Sequence, residues 1–357
     1  MIHAPWRVLV SIAIGVSMLA FSGGRSAALA NSVQVGGGFN TPGNLFVSDQ
    51  FNNRAIEINP STNQIVWSFG SGNPALCNPG PGAVIGPNDA ERLSHGLSLL
   101  AGTGIPPGAS PGLPNGCVDN RVIVVNHAGD IIWQYGQAGV TGKGWNQLNV
   151  PVFAIQLPDR NIMIVDQGNN RVIVVDRFRR RIVWSYGPTS GPGALNNPNS
   201  AELLPNNDVL IADENNSRVL QITPAGKIVG MYSKGLNIVA FASRLPNLDT
   251  LITDSGNNRV IEVTPQGQIV FQYVTNTAPG SNPSPLPTNA VRLANNDDTV
   301  IADQFNDRVI VVDRDGTLDY QYGTINVPGN GSGQLNAPYT AFVIGDYTGQ
   351  TPPPPIF

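Results

Sequence analysis

Seven side chains along this chain have the types and contexts to hold a ligand. Asp89, Glu91, Asn199, Glu202 and Asn289 offer carboxylate and amide oxygens from three separate segments, which is how proteins assemble a site for a hard cation such as calcium. With Asn88 and Tyr339 they fall in four of six short segments that share an alanine and are expected to start the innermost strands and line the channel: NDAER from Asn88, VFAIQ from Val152, NSAEL from Asn199, IVAFA from Ile238, TNAVR from Thr288 and YTAFV from Tyr339. Alternation along a strand lets Asp89 and Glu91 face one side together, or Asn88 and Arg92 together. No cofactor is predicted; calcium is the one these residue types allow, and the identity of any metal stays open. The other chemistry-bearing types are sparse. Beyond the first thirty residues the histidines are His95 and His127, the serines have no neighbouring base, and there is no nucleophile elbow, phosphate loop or paired-cysteine metal motif. The balance leans away from an enzyme.

The elements that must position these residues announce themselves by repetition. Six phrases end on an arginine that opens an apolar run: VSDQFNNR at Arg54, CVDNR at Arg121, IVDQGNNR at Arg171, IADENNSR at Arg218, ITDSGNNR at Arg259 and IADQFNDR at Arg308. Successive arginines are 41 to 67 residues apart, the period of propeller blades. Within the fullest unit, turn residues at 204–207 and 223–226 separate four short apolar stretches, so each unit reads as a four-stranded antiparallel meander. Aromatic pairs two residues apart, such as Trp67 with Phe69 and Trp184 with Tyr186, share one strand face and are expected to pack between neighbouring sheets. The first phrase supplies three strands, and a lone strand pattern from Pro338 follows the last complete unit. Joining the two gives an all-β, six-bladed propeller closed by its C-terminal strand, with Ser32 to Gly37 as the alternative missing strand.

These units resemble the NHL-repeat family of β-propellers, marked by an Asp, a short spacer, an Asn and an Arg at the turn between strands two and three. The matching residues are Asp49, Asn52 and Arg54; Asp166, Asn169 and Arg171; Asp213, Asn216 and Arg218; Asp254, Asn257 and Arg259; and Asp303, Asn306 and Arg308. The resemblance implies ligands or partners on one face or in the central channel. The aspartates and arginines themselves read as structural, because Asp accepts backbone N–H groups in turns and Arg forks onto carboxylate or carbonyl oxygens. The second unit departs: Gly116 or Gly102 falls where its Asp should be, Asp119 falls where Asn should be, and about fourteen extra residues enlarge its turn. Cys77, in the link between the first two blades, and Cys117, in that enlarged turn, lie on one face of a meander propeller and are expected to form a disulfide. His95 and His127 fall on the opposite face.

The ends and the charge complete the expectation. Residues 1–30 read as a signal peptide cleaved near Ala30, 31–346 as the propeller and 347–357 as a Pro-rich tail. The formal charge of −4 becomes −6 without that leader, which disfavours nucleic acid, and the four arginines at 177 and 179–181 read as a solvated hairpin tip. The apolar run of the leader is too short for a stable membrane span. The function expected is an exported, non-enzymatic module, monomeric unless part of an assembly, that binds a protein, peptide or glycan on one face and the channel. The alternatives are a calcium-dependent lactonase-like hydrolase, or other channel enzyme, and a structural subunit of an envelope assembly.

Overall fold

The computed structural model describes residues 38–347 and 349, so the leader, the residues from Ser32 to Gly37 and most of the Pro-rich tail lie outside the described residues. Six four-stranded antiparallel sheets form the six blades of the propeller. Blade one is Leu45–Asp49, Arg54–Asn59 and Gln64–Gly70, completed on its inner side by Pro338–Val343. The C-terminal strand thus closes the ring, pairing Leu45 with Val343 and Val47 with Ala341. Blades two to six begin with the innermost strands Pro87–Arg92, Pro151–Gln156, Pro198–Leu203, Val239–Arg244 and Asn289–Arg292 and run outward in chain order.

The repeated phrase makes the same structure in five blades. A 3-10 turn follows the aspartate, and the arginine pairs across the ladder with that aspartate. In these five the arginine Nε donates to one carboxylate oxygen over 2.6 to 2.8 Å, and the phrase asparagine donates to the same oxygen. In four of them the other oxygen accepts a backbone N–H from the segment leading into an innermost strand. Burial alone would expel a carboxylate, and these bonds hold it in place.

Blade two reaches the same end by another route. Gly102 pairs with Arg121, so glycine takes the register position of the missing aspartate. Asp119 supplies the carboxylate instead: it accepts from Arg121 and from the N–H of Ile85, and its Oδ2 fills the space where a Cβ on Gly102 would lie. The phrase aspartate is thus absent from this blade, and Asp119 does its work from the arginine's own strand. The enlarged turn spans 106–116 between Ser98–Ile105 and Cys117–Val125, and the disulfide joins Cys77 to Cys117 as expected.

The join between blades rests on a residue outside the family pattern. The position before each arginine has a left-handed backbone: Asn53, Asn120, Asn170, Ser217, Asn258 and Asp307, with φ between 50° and 59°. Each side-chain oxygen accepts an N–H just before the next blade's innermost strand: the residue directly before it at Gly86, Val150, Asn197, Ile238 and Ala337, and three places before it at Leu286. Asn, Ser and Asp combine tolerance of that backbone with a short acceptor. On the opposite face the outer-strand indoles of Trp67, Trp133 and Trp184 donate to His127, Arg177 and Pro224 in the next blade's last turn.

Candidate functional site

The innermost strands line the axis with one ladder edge unpaired, and their inward N–H groups need acceptors. The residue before the recurring alanine provides them from the preceding blade. Thr340 accepts from Ala90, Asp89 from Ala154, Ser200 from Ala242 and Asn289 from Ala341. A second row follows, with Glu91 accepting from Gln156 and Glu202 from Arg244. The expected channel candidates Asp89, Glu91, Glu202 and Asn289 therefore stitch one blade to the next. In blade five the recurring alanine is Ala242, not Ala240: it faces Ile252 as Ala90 faces Leu100, and the IVAFA window is displaced by two residues.

Two blades break this row. Phe153 and Phe241 occupy the stitching position, and their rings meet at 5.7 Å in an edge-to-face contact. They share one apolar cluster with Val152, Ile155, Val291 and Phe342, contributed by four different blades, so the cluster fills the axis. Tyr347, after the closing strand, packs its ring on Phe342 at 5.8 Å and lies near Glu202, Glu91 and Asp89. Burial pushes the Asp89 carboxyl up to about 7. Burial and then the Asp89 charge push Glu91 well above the usual carboxylate range.

Above this plug, on the face of the phrase turns, the axis ends in a polar mouth whose amides Asn88, Asn199, Gln50 and Gln304 are themselves buried. Register shifts between Pro87 and Asp89 and between Pro198 and Ser200 mark β-bulges at Asn88 and Asn199, and Tyr339 lies in the corresponding irregularity of the closing strand. The bulge frees these residues from simple alternation, so Asn88 serves the mouth while Arg92 pairs with Glu57 at the other end of the strand, and of the two pairings alternation allows, Asp89 with Glu91 is the one formed. Asn199 Nδ2 lies 2.7 Å from the Tyr339 hydroxyl and 2.6 Å from Glu214, and Asn88 also bonds Tyr339. Gln50 donates to Asn88 at 2.7 Å and accepts from Gln304 at 2.9 Å, while Gln167 donates to Glu214 at 3.0 Å. Seven side chains from five blades make one hydrogen-bonded band. Burial raises the Glu214 carboxyl above its ordinary range, and burial and the Glu214 charge raise the Tyr339 hydroxyl.

Gln50, Gln167, Glu214 and Gln304 are the members that the sequence did not single out. Each directly follows a phrase aspartate, within the spacer of the repeat; the variation there among Gln, Glu and Ser255 is the signal that marks the position. Asn88, Asn199 and Tyr339 come together here, whereas Asp89, Glu91, Glu202 and Asn289 do not join them. Leu76 and Val118, next in sequence to the disulfide cysteines, are exposed, as are Val140 and Trp145 in the link to blade three, Trp145 to 72%. His95 and His127 lie on the other face, where His127 stacks on Phe39 at 3.8 Å.

No family model matches this chain, and no curated protein does. Solved structures do. A protein of unknown function from Bacteroides caccae is similar at 15% identity over 79% of this chain and 96% of that one, with a TM-score of 0.56. Virginiamycin B lyase from Staphylococcus aureus is similar at 16% identity over 68% of this chain and 71% of that one, with a TM-score of 0.46. At 15% identity the first of these likenesses speaks to the fold alone, which the six sheets already show.

Proposed function

We propose that the chain is an exported, non-enzymatic propeller of the NHL-repeat kind that recognises an uncharged polar ligand, a glycan or a peptide segment, across the mouth on its phrase-turn face. The supporting observation is the mouth itself: amides and a phenol, with Glu214 as the one carboxylate in the band, offer donors and acceptors matched to hydroxyl and peptide groups. The aromatic plug below makes the site shallow. The disulfide-braced turn at 106–116 extends it on one side, where Leu113 packs with Phe51 and Phe305, the residues that follow Gln50 and Gln304.

The test is binding of the full chain to glycan and peptide arrays, followed by titration of the ligand found. Tyr339→Phe removes the hydroxyl between Asn88 and Asn199 and is expected to weaken binding about tenfold, the effect of losing one or two hydrogen bonds. Deleting 106–115 should change ligand preference. Unaltered binding in both variants would remove the mouth from consideration.

A calcium ion near the axis is the second reading, favoured by Asp89 Oδ1 and Glu91 Oε2, which are buried without a hydrogen-bond partner. Among the described residues no three His, Cys, Asp or Glu side chains converge, so amide, backbone or water oxygens would have to complete its shell. Equilibrium dialysis with calcium, compared between the chain and Glu91→Gln, decides it.

A further inference from the structure

The last turn of blade three differs from its five counterparts. It carries Arg177, Phe178, Arg179, Arg180 and Arg181, whereas the corresponding turns at 59–64, 126–130, 223–227, 264–268 and 313–317 contain no Phe, Tyr or Trp and at most one Lys or Arg each. Phe178 is 80% exposed, and Arg179, Arg180 and Arg181 stand exposed beside it. Arg160, from the first turn of the same blade, is exposed and close enough to oppose the charge on Arg177.

The tip is held in this shape. Asp176 Oδ1 accepts the N–H groups of Phe178 at 2.9 Å and Arg179 at 2.7 Å, and Asp176 closes the turn with Arg181 and Arg180 through its backbone. Trp133 of blade two donates to the Arg177 carbonyl at 2.7 Å. Asp176 also pairs with Arg179, and Asp159 stands beside Arg160 in sequence. Five guanidinium groups against these two carboxylates leave the tip cationic on a chain whose net charge is −4.

We propose that this tip docks the propeller on an anionic lipid bilayer, with Phe178 entering the headgroup region and the arginines meeting lipid phosphates. A protruding aromatic has no groove to fill on its own chain, and a convex cationic tip matches a soft, planar anionic surface. Attraction by the tip alone, on an otherwise acidic molecule, acts within about one Debye length and fixes orientation. Peripheral contact is what this arrangement supports: no helix among the described residues is long and apolar enough to cross a membrane.

Sedimentation of the full chain with vesicles tests this, using phosphatidylcholine alone and with about one third phosphatidylglycerol. Binding is expected to rise about tenfold with the anionic lipid and to fall in about 0.5 M salt. Phe178→Ser should lower it about tenfold with unchanged melting, since the residue is 80% exposed and buries little in the fold. Phe178→Trp should add a fluorescence component that brominated lipid quenches on binding. Equal binding to neutral vesicles, no binding, or full binding by Phe178→Ser overturns the proposal. So does capture by soluble polyglutamate with Phe178→Trp unquenched by lipid, which would make the tip a site for acidic protein.

Discussion

Arg308 and Arg259 make the same bond to their aspartates, 2.8 and 2.7 Å, but their side chains are 3% and 21% exposed. Removing an arginine strands a fully buried carboxylate, which costs about 3–5 kcal/mol when water cannot reach it. Arg308→Ala should therefore destabilise the chain by about that much, and Arg259→Ala by clearly less, because water can follow into the more open space that Arg259 vacates and reach Asp254. Equal denaturant midpoints for the two would show that burial does not set the cost. Blade two offers a sharper residue-scale test. A Cβ on Gly102 would lie 2.5 Å from Asp119 Oδ2, so Gly102→Ala must displace the carboxylate that binds Arg121 and Ile85. A loss of about 2 kcal/mol or more is expected by chemical denaturation. The phrases were legible in the sequence because Asp and Arg face each other across one short turn, a local relation. The exchange at Asp119 was not: its carboxylate reaches the site from the arginine's own strand, which spacing alone does not reveal.

At the scale of the strand, the acids beside the axis act as acceptors for a neighbour's edge. Asp89 bonds Ala154 and keeps a raised carboxyl, near 7, against the ordinary 3.8. The folded chain thus holds a proton that the unfolded chain has released above about pH 4, so this group's effect on stability declines as pH rises from about 4 to about 7. Asp89→Asn keeps an oxygen for Ala154 without the charge. The variant should melt closer to the same temperature at pH 5 and pH 8 than the parent does, and an unchanged difference would show that Asp89 is already ionised at pH 5. These strands were visible as six segments around an alanine, but the uses of their residues were hidden. A bulge moves Asn88 and Asn199 into the mouth, the two-residue displacement in blade five concealed Ala242, and Phe153 meets Phe241 only once the ring is closed.

For the whole molecule, closure is the decisive event, and it was readable because an unpaired strand pattern stood at one end and a three-stranded unit at the other. Without residues 338–357 the strand Leu45–Asp49 would present a bare edge, and Ser48 would lose Thr340. That truncated chain is expected to lose its sharp melting transition and to self-associate, as seen by circular dichroism and size-exclusion chromatography; a monomer with the parent's midpoint would show that closure is dispensable. The closing pair also sets how the ring responds to load. Leu45 and Val343 face each other at the same end of an antiparallel pair, next to the bonds of Gly43 and Asn44 with Ile344. Tension applied between the two chain ends therefore reaches the hydrogen bonds one after another, as in a zip, and not all together in shear. A ring resistant to heat would still open under a weak pull on its ends, whereas a pull from blade two against blade five would have to part whole packed interfaces between sheets.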